Sequence, residues 1–219
     1  MKPDFDRAAT KAAEILIENQ ITGTPVDSLS ILLNYPRVRV MSFANFASQA
    51  GLSRHDLIPL FGENQDAATF NLDMEISDVQ YVVVYNMRLP YEIIWRGIAR
   101  ELGHIALGHD GATRPPEVRL AEAICFAHHL ISPRPVLNLL RESVPLTMNV
   151  LTDTTGCSDS CVDELKKIPG CNVPAELNRK IRDQFERGIS EYIRFSKASP
   201  KADRSQIVDL GSFMDNYKE

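Results

Sequence analysis

No stretch of the 219-residue sequence approaches the roughly 18 consecutive apolar residues that a membrane-spanning helix needs. Met1 to Arg7 is polar and no signal-peptide core follows it, so a cytoplasmic location without a membrane partner is expected. An excess of basic charge is also missing. Lys and Arg number 24 against 29 Asp and Glu, the net charge is −5, and the two signs are interspersed. That is not the footprint of a nucleic-acid binder, and nucleic acid is not an expected partner. Repeats and low-complexity tracts are absent. Cysteine is scarce, at four residues: Cys125, Cys157, Cys161 and Cys171. In a reducing cytosol a disulfide is not expected. Cys157, Cys161 and Cys171 could together hold a metal, but their spacing matches no standard zinc finger, so a structural or incidental role is expected. Cys125 sits in an apolar helical run and reads as a small buried hydrophobe.

The chain is instead rich in patterned apolar residues, 44% by composition, enough to bury a real core in one domain with an extension or in two small domains. Apolar spacing predicts a helix from Phe5 to Gln20 and a short one opened by Pro25, with Val26, Leu29, Leu32 and Leu33 as its inner face. Val38 and Val40 alternate with polar neighbours as in a strand. One or two short helices are expected across Phe43 to Phe61. Ala68 to Leu72 and Val79 to Tyr85 read as strands joined by the polar Asp73-to-Asp78 segment, with the valine run the most buried. A long helix should run from Pro90 to about Leu107 and end at Gly108, and another should begin at Pro115-Pro116 and break at Pro133 and Pro135. Beyond Leu146 two short helices flank a Gly156-Cys157-Ser158 turn. A charged helix should follow from Asn178 to Phe195, then a polar tail in which Ile207, Leu210 and Phe213 could dock.

Chemistry concentrates in Arg100-Glu101-Leu102-Gly103-His104. Zinc peptidases carry His-Glu-x-x-His on a helix because positions i and i+4 share a face, so that two imidazoles hold one ion. The glutamate between them serves as general base. Here Glu101 and His104 fall at the second and last positions, and Arg100 stands at the first. Five residues alone are a weak signal, but the flanks extend it. The stretch Ala99-Arg100-Glu101-Leu102-Gly103-His104-Ile105-Ala106-Leu107-Gly108-His109 resembles the active helix of the ImmA/IrrE metallopeptidases, which typically reads Ala-His-Glu-Leu-Gly-His, an apolar triplet and Gly-His. Glu122-Ala123-Ile124-Cys125-Phe126-Ala127, ending at Pro133, resembles that family's second helix. Pro25-Val26-Asp27, the Val82-to-Asn86 strand and the Leu151-to-Leu165 segment fall in the family's order, so the likeness spans roughly residues 8 to 168.

The resemblance implies an α+β, zincin-like domain over residues 1–145, with a small antiparallel sheet and a zinc-peptidase-type helix pair. A mostly helical region with a helix-turn-helix-like segment follows over 146–195, then the tail over 196–219. It also implies metal positions at His104 and Glu122 and a general-base position at Glu101, with Arg100 and His109 lining the site. Arginine offers only donors and stays charged, so it cannot ligate zinc. His104 and Glu122 alone make a site too poor for tight zinc binding. His109 lies about 140° around a helix from His104 and would not converge with it. His129 shares a face with Glu122 but lies about 10 Å along the axis, and His128 and His129 read as core or surface residues. Arg100 could instead stand between Glu101 and Glu122 as an internal cation, or point to solvent.

Family members commonly act on helix-turn-helix repressors in mobile elements and stress responses. The expected function is therefore that of a non-catalytic binding or regulatory relative with a repressor-like or phage-related protein partner, and with no zinc or only weakly held zinc. The alternatives are an active peptidase with an altered metal site and a DNA-associated regulator that uses residues 146–167.

Overall fold

The computed structural model describes residues 1–53, 55–57, 62, 65–72, 78–109, 113–198, 207–215 and 217, with the side chains of 197 and 198 excepted. The chain begins with α1 (Phe5–Glu18), whose first turn is capped by Asp4 accepting from the Arg7 amide at 3.0 Å. Its inner stripe of Ala8, Ala12, Ile15 and Leu16 is fully buried, and the alanines let a neighbouring helix approach closely. α2 (Ser28–Leu33) starts three residues later than the proline suggested, because Asp27 supplies the cap. Ile31 and Leu32 face inward, whereas Leu33, expected inside, is 58% exposed.

β1 (Val38–Ser42) leads into α3 (Phe43–Ala50), followed by β2 (Ala67–Asn71) and β3 (Tyr81–Tyr85). These strands form one sheet in the order β1-β3-β2, with β2 antiparallel to β3 but β1 parallel to it. The sheet is therefore mixed, not the antiparallel one expected. The long connection from β1 through α3 and β2 permits the parallel pairing, which a tight hairpin could not. β3 lies in the middle, and its run from Tyr81 to Val84 is buried on both faces, which is why it is continuously apolar. Within Phe43 to Phe61, α3 and a helical turn at 55–57 are seen. Residues 54 and 58–61 of that stretch, and 73–77 of the expected connection, lie outside the described residues.

α4 (Tyr91–Ala106) and α5 (Pro116–Ile131) form the central helix pair, each entered through a proline. Gly103 sets their separation. A Cβ there would lie 2.8 Å from Phe126 Cδ1 and 3.2 Å from the Ala123 carbonyl oxygen, so glycine lets α4 lie against α5. α6 (Arg134–Arg141) follows the break at Ser132-Pro133. α7 (Met148–Thr155) and α8 (Asp159–Leu165) flank Gly156, which caps α7 in the left-handed region at φ 67°. α9 (Ala175–Ala198) is longer than expected and packs on α1 and α6. Leu210 and Phe213 dock as anticipated, buried at 3% and 0%, while the Ile207 side chain is exposed and its backbone bridges to Thr147. Buried residues from Ala8 to Phe213 belong to one cluster. No helix among the described residues is long and apolar enough to cross a membrane.

Candidate functional site

Arg100 projects from α4 toward the start of β2. Its guanidinium takes Asp66 bidentately, with Nη1 to Oδ2 at 3.1 Å and Nη2 to Oδ1 at 2.9 Å, and donates to the Ala67 carbonyl at 3.0 Å. Nε and Nη2 also reach Oε1 of Glu101 at 3.1 and 2.6 Å. The second carboxylate oxygen of Glu101 accepts from the Thr69 hydroxyl at 2.8 Å. The side chain of Arg100 is 18% exposed, and those of Asp66 and Glu101 are 10% and 7%. The solvent-facing arginine is thus ruled out. Burial opposes the charge on Arg100, but Glu101 and Asp66 outweigh it and hold the guanidinium above its ordinary range. Burial raises the Glu101 carboxyl, and Arg100 and Thr69 oppose that rise. Gly97, one turn before Arg100, leaves room for this pairing, since a Cβ there would sit 2.8 Å from Asp66 Cγ.

The expected bridge from Arg100 to Glu122 does not form, because Asp66 takes that place. Glu122, fully buried on α5, has its own partners. Oε1 accepts from the Asp4 amide at 2.8 Å and from Arg114, and Oε2 lies 3.0 Å from His109 Nε2. His109 in turn stands 3.1 Å from His104, Nδ1 to Nδ1. The two histidines therefore do converge, contrary to the helical-wheel argument. α4 ends at Ala106, and Gly108 at φ 64° turns the chain back, so the angle between the rings is no longer helical. With the His109 Nε2 proton given to Glu122, its Nδ1 accepts and His104 Nδ1 donates, a tautomer pattern assigned from the hydrogen bonds.

Burial first, then His109 and Arg100, push the His104 imidazole down to about 4. The sign follows directly. The neutral form is favoured in the folded state, so the contribution of His104 to stability is complete above its ordinary 6.5 and is lost as pH falls toward 4. An NMR titration of the His104 ring should show a midpoint near 4; a midpoint near 6.5 would contradict the buried, His109-bonded placement.

A cavity of about 210 Å³ opens beside this arrangement, lined by Thr69, Asn71, Glu101, His104, His109 and Arg119. Its donor set does not suit zinc. Arg100 cannot ligate, both oxygens of Glu101 and of Glu122 are engaged, and His104 is bonded to His109. Among the described residues, a group of metal-capable side chains gathers elsewhere: Cys125, His129 and Cys171, all buried, with donor atoms within 4.8 Å of one another. The sequence pattern had grouped Cys171 with Cys157 and Cys161 instead. Asp66, Thr69, Arg114 and the Asp4 amide were not anticipated, since none carries a motif; the nearest signal was Gly97, one helical turn from Arg100. The chain matches no protein-family model, and no curated protein or solved structure matches it.

Proposed function

We propose that the chain is a non-catalytic relative of the ImmA/IrrE metallopeptidases, in which an arginine-centred ion network stands where a zinc ion would be held. In this reading it works by binding a protein regulator of the repressor type that the resemblance implies. The observation that carries the proposal is the position of Arg100: one guanidinium pairs with both Glu101 and Asp66 at the start of β2. A divalent cation would supply the same kind of charge to inward carboxylates, and here a side chain supplies it. The general-base position is correspondingly occupied, because Glu101 spends one oxygen on Arg100 and the other on Thr69.

Arg100→His tests the proposal. The substitution should create zinc binding that depends on His104 and Glu122, read as one additional equivalent by calorimetry and elemental analysis and abolished by a further His104→Ala change. In the unsubstituted protein, His104→Ala should leave zinc content unchanged. A native zinc equivalent lost on His104→Ala would overturn the proposal.

A further inference from the structure

Three side chains that neither the Arg100 nor the Glu122 network uses meet under the C-terminal segment. Cys125 and His129 are one turn apart on α5, and Cys171 comes from the loop between α8 and α9. The Cys125 and Cys171 sulfurs are 3.8 Å apart. Two thiolates at about 2.3 Å from a tetrahedral zinc stand about 3.8 Å from each other. A disulfide would need about 2.05 Å.

The imidazole of His129 completes the geometry. Its Nε2 is buried and has no hydrogen-bond partner among the described residues, and its ring packs on Phe213 with centroids 4.7 Å apart. A buried nitrogen of this kind normally has a partner, and a metal ion would provide one.

Arg134 lies against the same loop. It is 1% exposed and donates to the carbonyls of Cys171 and Asp215, at 2.6 Å in the latter case, and none of the described carboxylates pairs with it. The Cys171 thiol also donates to the Pro169 carbonyl oxygen at 3.3 Å, which fixes its direction within the loop.

The surroundings hold these groups in place. Asn172 donates from its amide and side chain to both oxygens of Asp6, at 2.8 and 3.1 Å. A Cβ on Gly170 would lie 2.6 Å from the Ser212 carbonyl oxygen, so the loop and the C-terminal segment are in direct contact. We infer that Cys125, His129 and Cys171 form a zinc site that clasps α5 to the 169–174 loop and so anchors the docked C-terminal residues. The two thiol protons leave to solvent as the ion binds. The other thiol pair, Cys157 and Cys161, has sulfurs 2.7 Å apart, but no third metal-capable side chain among the described residues gathers with it.

The test uses the full chain, reduced and stripped of metal, titrated with cobalt(II) and then zinc(II). Uptake of one cobalt equivalent is expected, with thiolate-to-cobalt charge transfer and the intense visible bands of a tetrahedral ion, both displaced by zinc. X-ray absorption of the zinc form should show two sulfurs at about 2.3 Å and a nitrogen at about 2.0 Å. Cys125→Ser should weaken zinc binding by more than the roughly 10–100-fold that loss of a ligand's hydrogen-bond partner costs. Cys157→Ser and His104→Ala should leave it intact, which separates this site from the Arg100 network. The wild-type spectra decide the matter even if Cys125→Ser fails to fold. No cobalt uptake by the reduced wild type, a zinc spectrum without sulfur, or charge transfer that persists in both Cys125→Ser and Cys171→Ser would each overturn the inference.

Discussion

Arg100→Met should lower the unfolding free energy at neutral pH by about 3 kcal/mol, because it removes the cation of a buried network and leaves two carboxylates behind. Asp66 and Glu101 are 7% and 5% exposed, and Arg100 is the cation paired with both. Without it, the burial that already raises the Glu101 carboxyl acts unopposed by Arg100, so its protonated form is favoured in the folded state. Such a group regains stability as pH falls, and the deficit of the variant should therefore shrink between pH 7 and pH 5. Chemical denaturation at both pH values checks this. A loss below about 1 kcal/mol that does not change with pH is what an exposed arginine would give, and it would contradict the network.

Glu122→Leu should be at least as severe, about 4 kcal/mol, because a single buried carboxylate satisfies three donors. The Asp4 amide, His109 Nε2 and Arg114 all converge on it. Leucine nearly matches the volume but accepts nothing. Arg114 can return to water, being 28% exposed, whereas His109 is 2% exposed and cannot. The Asp4 amide also belongs to the residue that caps α1, so hydrogen exchange should accelerate in the first turn of α1 as well as near His109. Glu122→Gln keeps the shape and one acceptor, and should cost clearly less. Equal losses for the two variants would contradict this, because the retained amide oxygen would then satisfy none of the three donors.

The sequence made the helix pair legible because each helix announces itself twice, by a proline at its start and by an apolar stripe along its length. Pro90 with Ile98, Leu102 and Ile105, and Pro116 with Val118, Phe126 and Leu130, mark α4 and α5 within a residue or two. Gly103 was visible as a motif residue, but its reason is a distance, 2.8 Å from a would-be Cβ to Phe126, that no one-dimensional pattern contains. The parallel pairing of β1 with β3 was hidden for a similar reason. Alternation in Val38 and Val40 identifies a strand but not the direction of its neighbour.

The site was legible in its α4 and α5 residues and illegible in its partners. Helical spacing relates Arg100, Glu101 and His104, yet the group that pairs with Arg100 sits 34 positions earlier in a loop. His109 was misjudged because a helical wheel was extended past Gly108, where the positive φ ends the helix. The Cys125, His129 and Cys171 cluster went unseen because its third member lies 46 residues from its first, beyond three intervening helices.

In the proposed reading the charge of Arg100 stands in for a metal ion between α4 and the sheet. Anomalous scattering at the zinc edge from crystals grown with excess zinc measures this directly, since it locates every ordered zinc and shows the guanidinium beside it. No peak is expected near His104 and Glu122, with Arg100 still forked onto Asp66 and bonded to Glu101. A peak at about 2.0–2.2 Å from both a His104 nitrogen and a Glu122 oxygen, with Arg100 swung away, would contradict it.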